Sequence, residues 1–287
     1  KQTDFAAFDR HMDAIEEWLA SGAKVEAYEK HEDLGEDLCF LLGFPRSGTT
    51  LLDVMLDGHP RTQTLEERAT FEHVAFAIDK QYGGYPFGIG KLDPTQRQEL
   101  RRQYRSYLEK EGIKPDSKGI VVDKMPIRTI HAACMHRLFP RAKFLFALRH
   151  PCDVILSNYM QNFAANEAFV HFNSLAESTR IYERVMRIWK TSSELMPIPV
   201  HFVRYEQLVS DTERTLQDVC AFLDLPWTES MSAHQNTLKD RGRIKTNSYH
   251  QVSEPVYLRS MNRWHHYRAQ FEPYLAKIKP YADYFSY

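Results

Sequence analysis

An α/β fold, with a central parallel sheet covered by helices on both faces, is predicted by three observations on the 287-residue sequence. Short apolar runs recur at 38–43, 119–123, 143–148 and 199–204, each bounded by polar, glycine or proline residues, as expected of strands buried on both faces. Stretches with apolar residues at helical spacing separate these runs. The first run leads into a glycine-containing turn that opens a helix, the strand–turn–helix arrangement of a phosphate-binding loop. Such alternation with right-handed crossovers gives a parallel sheet. The predicted class is therefore an α/β P-loop-type sandwich.

Taken in order, Phe8, Met12, Ile15, Trp18 and Leu19 fall at three- and four-residue spacing and predict an amphipathic helix over 5–20. It lies in a segment, residues 1–30, read as an N-terminal helical extension, with 31–287 as a single domain. The strand at 38–43 is followed by a helix carrying Leu51, Leu52, Met55 and Leu56. Gly83–Gly88 reads as a surface loop. Ile181, Val185, Ile188 and Trp189 stand at i, i+4, i+7 and i+8. Leu216, Val219, Cys220 and Leu223 repeat that stripe behind a capping box, Ser210-x-x-Glu213. His265 and His266 read as surface or packing residues on a helix. The aromatic cluster Tyr281, Tyr284, Phe285 and Tyr287 reads as terminal packing or a contact surface. No repeat or linker divides the chain.

Composition narrows the partners. A formal net charge of −1 carries no electrostatic footprint for nucleic acid or an anionic membrane, so an anion must be caught by local geometry. No run approaches the roughly 20 apolar residues of a membrane span. The opening Lys1-Gln2-Thr3-Asp4 lacks both a signal-peptide core and an initiator methionine, which leaves an upstream segment open. Cys39, Cys134, Cys152 and Cys220 are widely spaced, as small hydrophobes in a reducing compartment would be, and none pairs with a histidine at ligand spacing. The expectation is a cytoplasmic protein with no metal site, and homodimerisation is left open.

The turn itself, Gly43-Phe44-Pro45-Arg46-Ser47-Gly48-Thr49-Thr50, departs from the nucleoside-triphosphate P-loop. That loop has a lysine after its second glycine to reach the β/γ-phosphates. Here Thr49 takes the slot and the cation has moved into the turn as Arg46. The other predicted strands run into Lys124, Arg149 and Tyr205, at the carboxyl ends where α/β folds bind ligands. Ser157 lies two turns into the helix after Arg149. Asp123 is the one carboxylate placed to hold magnesium, and its lysine neighbour argues for an anion instead. A sulfuryl group carries one negative charge fewer than a phosphoryl group and so has less need of a divalent ion. A site of cations and hydroxyls favours it over ATP.

On these motifs the chain resembles the sulfotransferases that use 3′-phosphoadenosine-5′-phosphosulfate (PAPS, with PAP as product). Residues 43–50 resemble their 5′-phosphosulfate loop. Arg149-His150-Pro151-Cys152-Asp153-Val154-Ile155-Leu156-Ser157 resembles their 3′-phosphate segment, with arginine and serine eight apart. Leu56-Asp57-Gly58-His59-Pro60 leading to Glu66-Glu67 resembles the tyrosylprotein branch and bacterial sulfotransferases fused to tetratricopeptide repeats. So do Val203–Leu208, Ser248–Val252 and Arg263-Trp264; the resemblance spans roughly 38–268. It implies Glu67 as general base on an acceptor hydroxyl. It implies Arg46, Thr49, Thr50, Lys124 and Ser248 on the sulfuryl and leaving oxygens, within a loop that includes Ser47 and Gly48. Arg149, Ser157 and Arg263 would hold the 3′-phosphate, and Tyr205 the nucleotide.

Glu66, Glu72 and His73 remain alternatives to Glu67 as the base. The tyrosylprotein enzymes carry a basic residue two positions after the glutamate, where this chain has Ala69, with Arg68 and Arg61 nearby. Their lumenal anchor has no counterpart here, which points to a bacterial-type cytosolic enzyme. The acceptor is left open among a small molecule, sugar, lipid headgroup and peptide tyrosine, with loops 76–92 and 162–175 expected to select it. The competing functions are a P-loop kinase and a non-catalytic nucleotide-binding interaction module.

Overall fold

The four predicted strands form as β1 (Leu38–Gly43), β3 (Ile120–Lys124), β4 (Lys143–Leu148) and β5 (Val200–Arg204), and a fifth, β2 (Thr62–Glu66), joins them. They make one parallel sheet of order β2-β3-β1-β4-β5 in a computed structural model that describes residues 6–22, 33–114, 119–161, 169–233 and 260–287. Sequence pattern does not reveal β2, because Thr-Gln-Thr-Leu-Glu is an edge strand with only Leu65 buried and carries no apolar run. The register aligns Glu66 with Lys124 and Leu41 with Lys124, and it aligns Gly43 with Ala147 and Leu148 with Arg204. All five carboxyl ends therefore lie along one edge of the sheet. Chain order reverses around β1, which places the binding crevice beyond its end.

The period of two in β1 sorts the core into two layers. Leu38, Phe40 and Leu42 face a cluster built with α1 (Ala7–Ala20), α3 (Thr70–Gln81), α4 (Pro94–Lys110), α5 (Ala132–Leu138), α6 (Pro151–Tyr159) and α7 (Leu175–Leu195). Cys39 and Leu41 face the other cluster, with α2 (Thr49–Asp57), α8 (Tyr205–Ser210) and α9 (Thr212–Leu223). Helices thus cover both faces.

The predicted first helix buries its stripe, Phe8 to Leu19, in the larger cluster. Its acidic face meets three arginines one turn apart on α7. Arg180 and Arg184 donate to Asp9 at 2.8 and 2.9 Å, and Arg184 and Arg187 reach Glu16 at 2.7 and 2.8 Å. The buried stripe supplies most of the docking energy, since partly exposed ion pairs contribute little each. Ile15→Ala is expected to destabilise the protein by about 2–5 kcal/mol in urea unfolding, because Ile15 is fully buried.

Three local expectations need correction. The capping box does not form: Ser210 ends α8, its hydroxyl donates to the Glu206 carbonyl, and Asp211 is the N-cap residue of α9. Only the start of Gly83–Gly88 is a surface loop, because Pro86, Gly88 and Ile89 turn inward as a 3₁₀ turn begins at Phe87. His265 and His266 lie exposed in a 3₁₀ turn, Arg263–Tyr267, and not in an α-helix. At the other end of the terminal segment, Phe285 joins the core and the Tyr287 hydroxyl donates to Glu206 at 2.8 Å, so the aromatic tail packs. The four cysteines are buried and unpaired. No helix among the described residues is long and apolar enough to cross a membrane.

Candidate active site

The Gly43–Thr50 turn is held from below. Thr129 receives the Gly43 N–H at 3.0 Å and donates to the Gly43 carbonyl at 2.8 Å. Asn158 on α6 donates to the Pro45 carbonyl at 2.7 Å. Arg46 takes a left-handed conformation (φ 72°), and its Nε donates to Ser157 Oγ at 3.3 Å. Gly48 is the N-cap of α2 at φ 93°, and Ser47, Thr49 and Thr50 are buried around it. The first-turn N–H groups of a helix have no carbonyl within it to bind, so the start of α2 presents donors and the positive end of the dipole to the crevice. The Tyr205 ring lies against Gly48, where an added Cβ would meet Cδ2 at 2.7 Å. Gly48→Ala is therefore expected to destabilise the chain by more than about 1 kcal/mol, read by urea unfolding, because both backbone and space oppose it.

Arg149 follows β4 and is buried. Its Nη1 donates to the Arg46 carbonyl at 3.2 Å and its Nη2 to the Ser260 carbonyl at 2.5 Å, while its guanidinium lies 4.9 Å from the Tyr205 ring centroid. Its Nε is buried with no hydrogen-bond partner among the described residues. Such a donor is costly unless something accepts from it. Arg46, Ser157, Arg149, Tyr205 and the Gly48 turn thus form one contiguous cradle. Arg263 is exposed nearby, with Nη2 3.9 Å from the Met160 sulfur. The Asp153 carboxylate fixes that neighbourhood by accepting from the Asn262 and Trp264 N–H groups at 2.7 and 2.9 Å. Ser248 lies outside the described residues.

On the other side of β1, Lys124 is the last residue of its strand and wholly buried. Its Nζ donates to Glu67 Oε1 at 2.8 Å and to Glu66 Oε1 at 3.3 Å. Burial works against the charge, but Glu67, Asp53 on α2 and Glu66 outweigh it and hold Lys124 above its ordinary pKa. Glu67 stands just beyond β2 at φ 49°, its N–H bonded to the Lys124 carbonyl at 2.8 Å, and its side chain is one-third exposed. The alternative bases part company here. Glu72 forms a bidentate pair with Arg128, and His73 stacks on Tyr107 at 4.5 Å. Glu66 shares Lys124 with Glu67.

Asp123, the candidate magnesium ligand, points the opposite way from Lys124. Its Oδ2 accepts from Thr70 at 2.6 Å, Arg128 at 2.7 Å and Tyr104 at 2.8 Å. Sequence reading missed Asp53, Thr129, Asn158, Asp153 and Arg128 as parts of the site. Only Asp153 and Asn158, flanking Ser157 on one helix, carried a signal that spacing alone could have found.

Fold and cradle together define a P-loop-type α/β protein whose strand ends carry arginines and hydroxyls. The profile of the Sulfotransferase family matches residues 39–229. The chain belongs to the sulfotransferase family. It is 27% identical over 245 residues to an uncharacterised protein of Aquifex aeolicus (strain VF5), covering 82% of this chain and 31% of that one. It is 26% identical over 254 residues to protein-tyrosine sulfotransferase 1 of Homo sapiens, covering 83% and 65%. The chain thus spans between about a third and two-thirds of the length of these curated relatives. The sulfotransferase domain from the Synechococcus PCC 7002 olefin synthase shares the fold at TM-score 0.57 and 21% identity, over 92% of this chain and 99% of that one. The sulfotransferase domain from the curacin biosynthetic pathway does so at 0.58 and 21%, over 87% and 97%.

Proposed function

We propose that the chain transfers a sulfuryl group from PAPS to an acceptor hydroxyl, with Glu67 as general base and no metal. The observation that carries this reading is the Glu67–Lys124 pair at 2.8 Å, set on the same sheet edge as the Gly43–Thr50 turn. The residues present suit PAPS. A buried Arg149 Nε without a partner among the described residues, the hydroxyls of Thr49 and Thr50, and the donor-rich start of α2 match the anionic groups of such a nucleotide. When bound, PAPS supplies the sulfuryl group on a phosphate leaving group.

In this reading Glu67 accepts the proton of the acceptor hydroxyl as its oxygen bonds to sulfur and the bond from sulfur to the phosphate oxygen breaks in line. Lys124 and Arg46, with Thr49 and Thr50, stabilise the charge that develops on the oxygens, and Ser248 joins them. Arg149, Ser157 and Arg263 hold the 3′-phosphate, and Tyr205 positions the nucleotide. Metal independence is supported by Asp123, whose Oδ2 accepts from Arg128, Tyr104 and Thr70 on the face away from Lys124. The names of the relatives support peptide tyrosine as one acceptor to test beside phenols, sugars and lipid headgroups. Residues 31–287 are proposed as the catalytic domain with α1 packed on it. The four buried thiols suit the cytoplasm.

The test is thermal unfolding with PAP in the absence of magnesium. A ligand at a hundredfold its Kd stabilises the native state by about 2.7 kcal/mol, a rise in Tm of roughly 5 °C or more for a chain of this size. A rise is expected. No rise at saturating PAP, or one that requires magnesium and is matched by ATP, would overturn the donor assignment.

A further inference from the structure

We propose that Arg128 is a positioning residue for the reaction, tethering Glu67 to Lys124 from beneath; this rests on the reading of Glu67 as the base. Arg128 lies in the 3₁₀ turn Pro126–His131 directly after β3, and its side chain is wholly buried. A guanidinium offers five N–H donors in a rigid fork. Here Nε and Nη2 take the two oxygens of Glu72 at 3.0 and 2.8 Å, Nη1 takes Asp123 at 2.7 Å, and Nη2 also reaches the Arg68 carbonyl at 2.6 Å.

The identity of the partners distinguishes a tether from an ordinary core ion pair. Asp123 immediately precedes Lys124, and Arg68 immediately follows Glu67. One guanidinium therefore grips the chain one residue to the side of each member of the pair. Glu67 itself holds a left-handed backbone, φ 49°, which costs a non-glycine residue about 1–3 kcal/mol and persists only where the surroundings over-determine it. Those surroundings are the Lys124 carbonyl on its amino side and the Arg128–Arg68 bond on its carboxyl side. The Thr70 N–H bond to the same Arg68 carbonyl, 2.8 Å, and the Thr70 hydroxyl bond to Asp123 complete the brace. Burial works to raise the Glu72 carboxyl, but Arg128 outweighs it and holds it below its ordinary value. The Glu72–Arg128 pair is thus charged at neutral pH.

Without Arg128, the Glu67 backbone is free to leave the left-handed region and carry its carboxylate off Lys124. Burial then acts on Lys124 with only Asp53 and Glu66 opposing it, so the lysine loses its proton at lower pH. The experiment is an NMR titration of the lysine Nζ groups in the ligand-free protein, with the Lys124 signal assigned by its loss in Lys124→Gln. In Arg128→Lys, which keeps the charge and removes the fork, the Lys124 midpoint is expected to fall by about one pH unit or more, and turnover by about 10²-fold with PAP affinity kept. Glu72→Asp, which keeps the charge and draws the carboxylate back from the guanidinium, is expected to move it the same way by less, and it decides the matter if Arg128→Lys does not fold. Leu216→Ala, in the opposite core layer, is expected to lower stability and leave Lys124 where it was. A Lys124 midpoint unmoved in the folded Arg128 and Glu72 variants would overturn the proposal. Full turnover in Glu67→Gln would instead remove the general-base reading, while the Lys124 titration still reports on the tether.

Discussion

Glu67→Gln is expected to lower turnover by about 10²–10⁴-fold while the PAP-induced rise in Tm survives. The amide keeps the size and hydrogen-bonding shape of the carboxylate but cannot take a proton from an acceptor hydroxyl. Binding should be spared because the cradle stands on other elements. Arg46 and Gly48 follow β1, Arg149 and Ser157 follow β4, and Tyr205 follows β5, whereas Glu67 follows β2. Radiolabelled transfer to a panel of hydroxyl acceptors, run beside thermal unfolding with PAP, separates the two quantities. Unchanged transfer would move the base elsewhere, and Glu66, which shares Lys124 at 3.3 Å, is the next carboxylate to replace. Loss of the PAP effect would place Glu67 among the nucleotide-binding groups.

Lys124→Met is expected to damage both stability and turnover. The lysine is fully buried among Glu66, Glu67 and Asp53, and its removal leaves carboxylates without their cation. Breaking a buried pair from one side destabilises by about 3–5 kcal/mol. The loss of a preorganised cation at the reacting group removes a further factor of about 10²–10³ from turnover. The pH dependence has a definite sign. The folded-state pKa of Lys124 is raised above 10.5, the ordinary lysine value that the unfolded chain retains. Its contribution is therefore complete below pH 10.5 and fades as pH climbs through the folded-state value. Urea unfolding across pH should show a constant gap between wild type and Lys124→Met near neutrality, narrowing only in strong alkali. A gap that widens with rising pH would contradict the pairing.

The donor side of this site was legible in the sequence because its residues sit next to each other in the chain or at helical spacing. Gly43–Thr50 is one turn, and Arg149 and Ser157 are joined by a single helix. The sheet was legible where strands are apolar on both faces. The acceptor side was not, for a physical reason: β2 is an edge strand, polar on most positions, and its role is to present Glu66 and Glu67 beside Lys124. That juxtaposition depends on a parallel register between segments 58 residues apart, Glu66 opposite Lys124. Asp123 was only partly legible for the same reason: its place at the strand end made it the one carboxylate in reach of a magnesium, and strand alternation sends it to Arg128 and Tyr104 on the face away from Lys124. Arg128 carried no signal at all, since its partners come from the residues before β3 ends, the Glu67 corner and α3.

Glu67 stands beyond the edge strand β2, while the turn and arginines that form the cradle follow β1, β4 and β5, with Lys124 between the two sets. In the proposed reaction, substitutions along α3 then bear on the acceptor side, and those along β2 reach the cradle only through α2, to which Thr64 is bonded. In that reaction the acceptor is served from β2, α3 and the segments 76–92 and 162–175, and the donor from Gly43–Thr50 and Arg149–Ser157, so relatives with dissimilar acceptors should differ most in the first set and least in the second. Exchanging the first set between two relatives that modify different acceptors tests this directly.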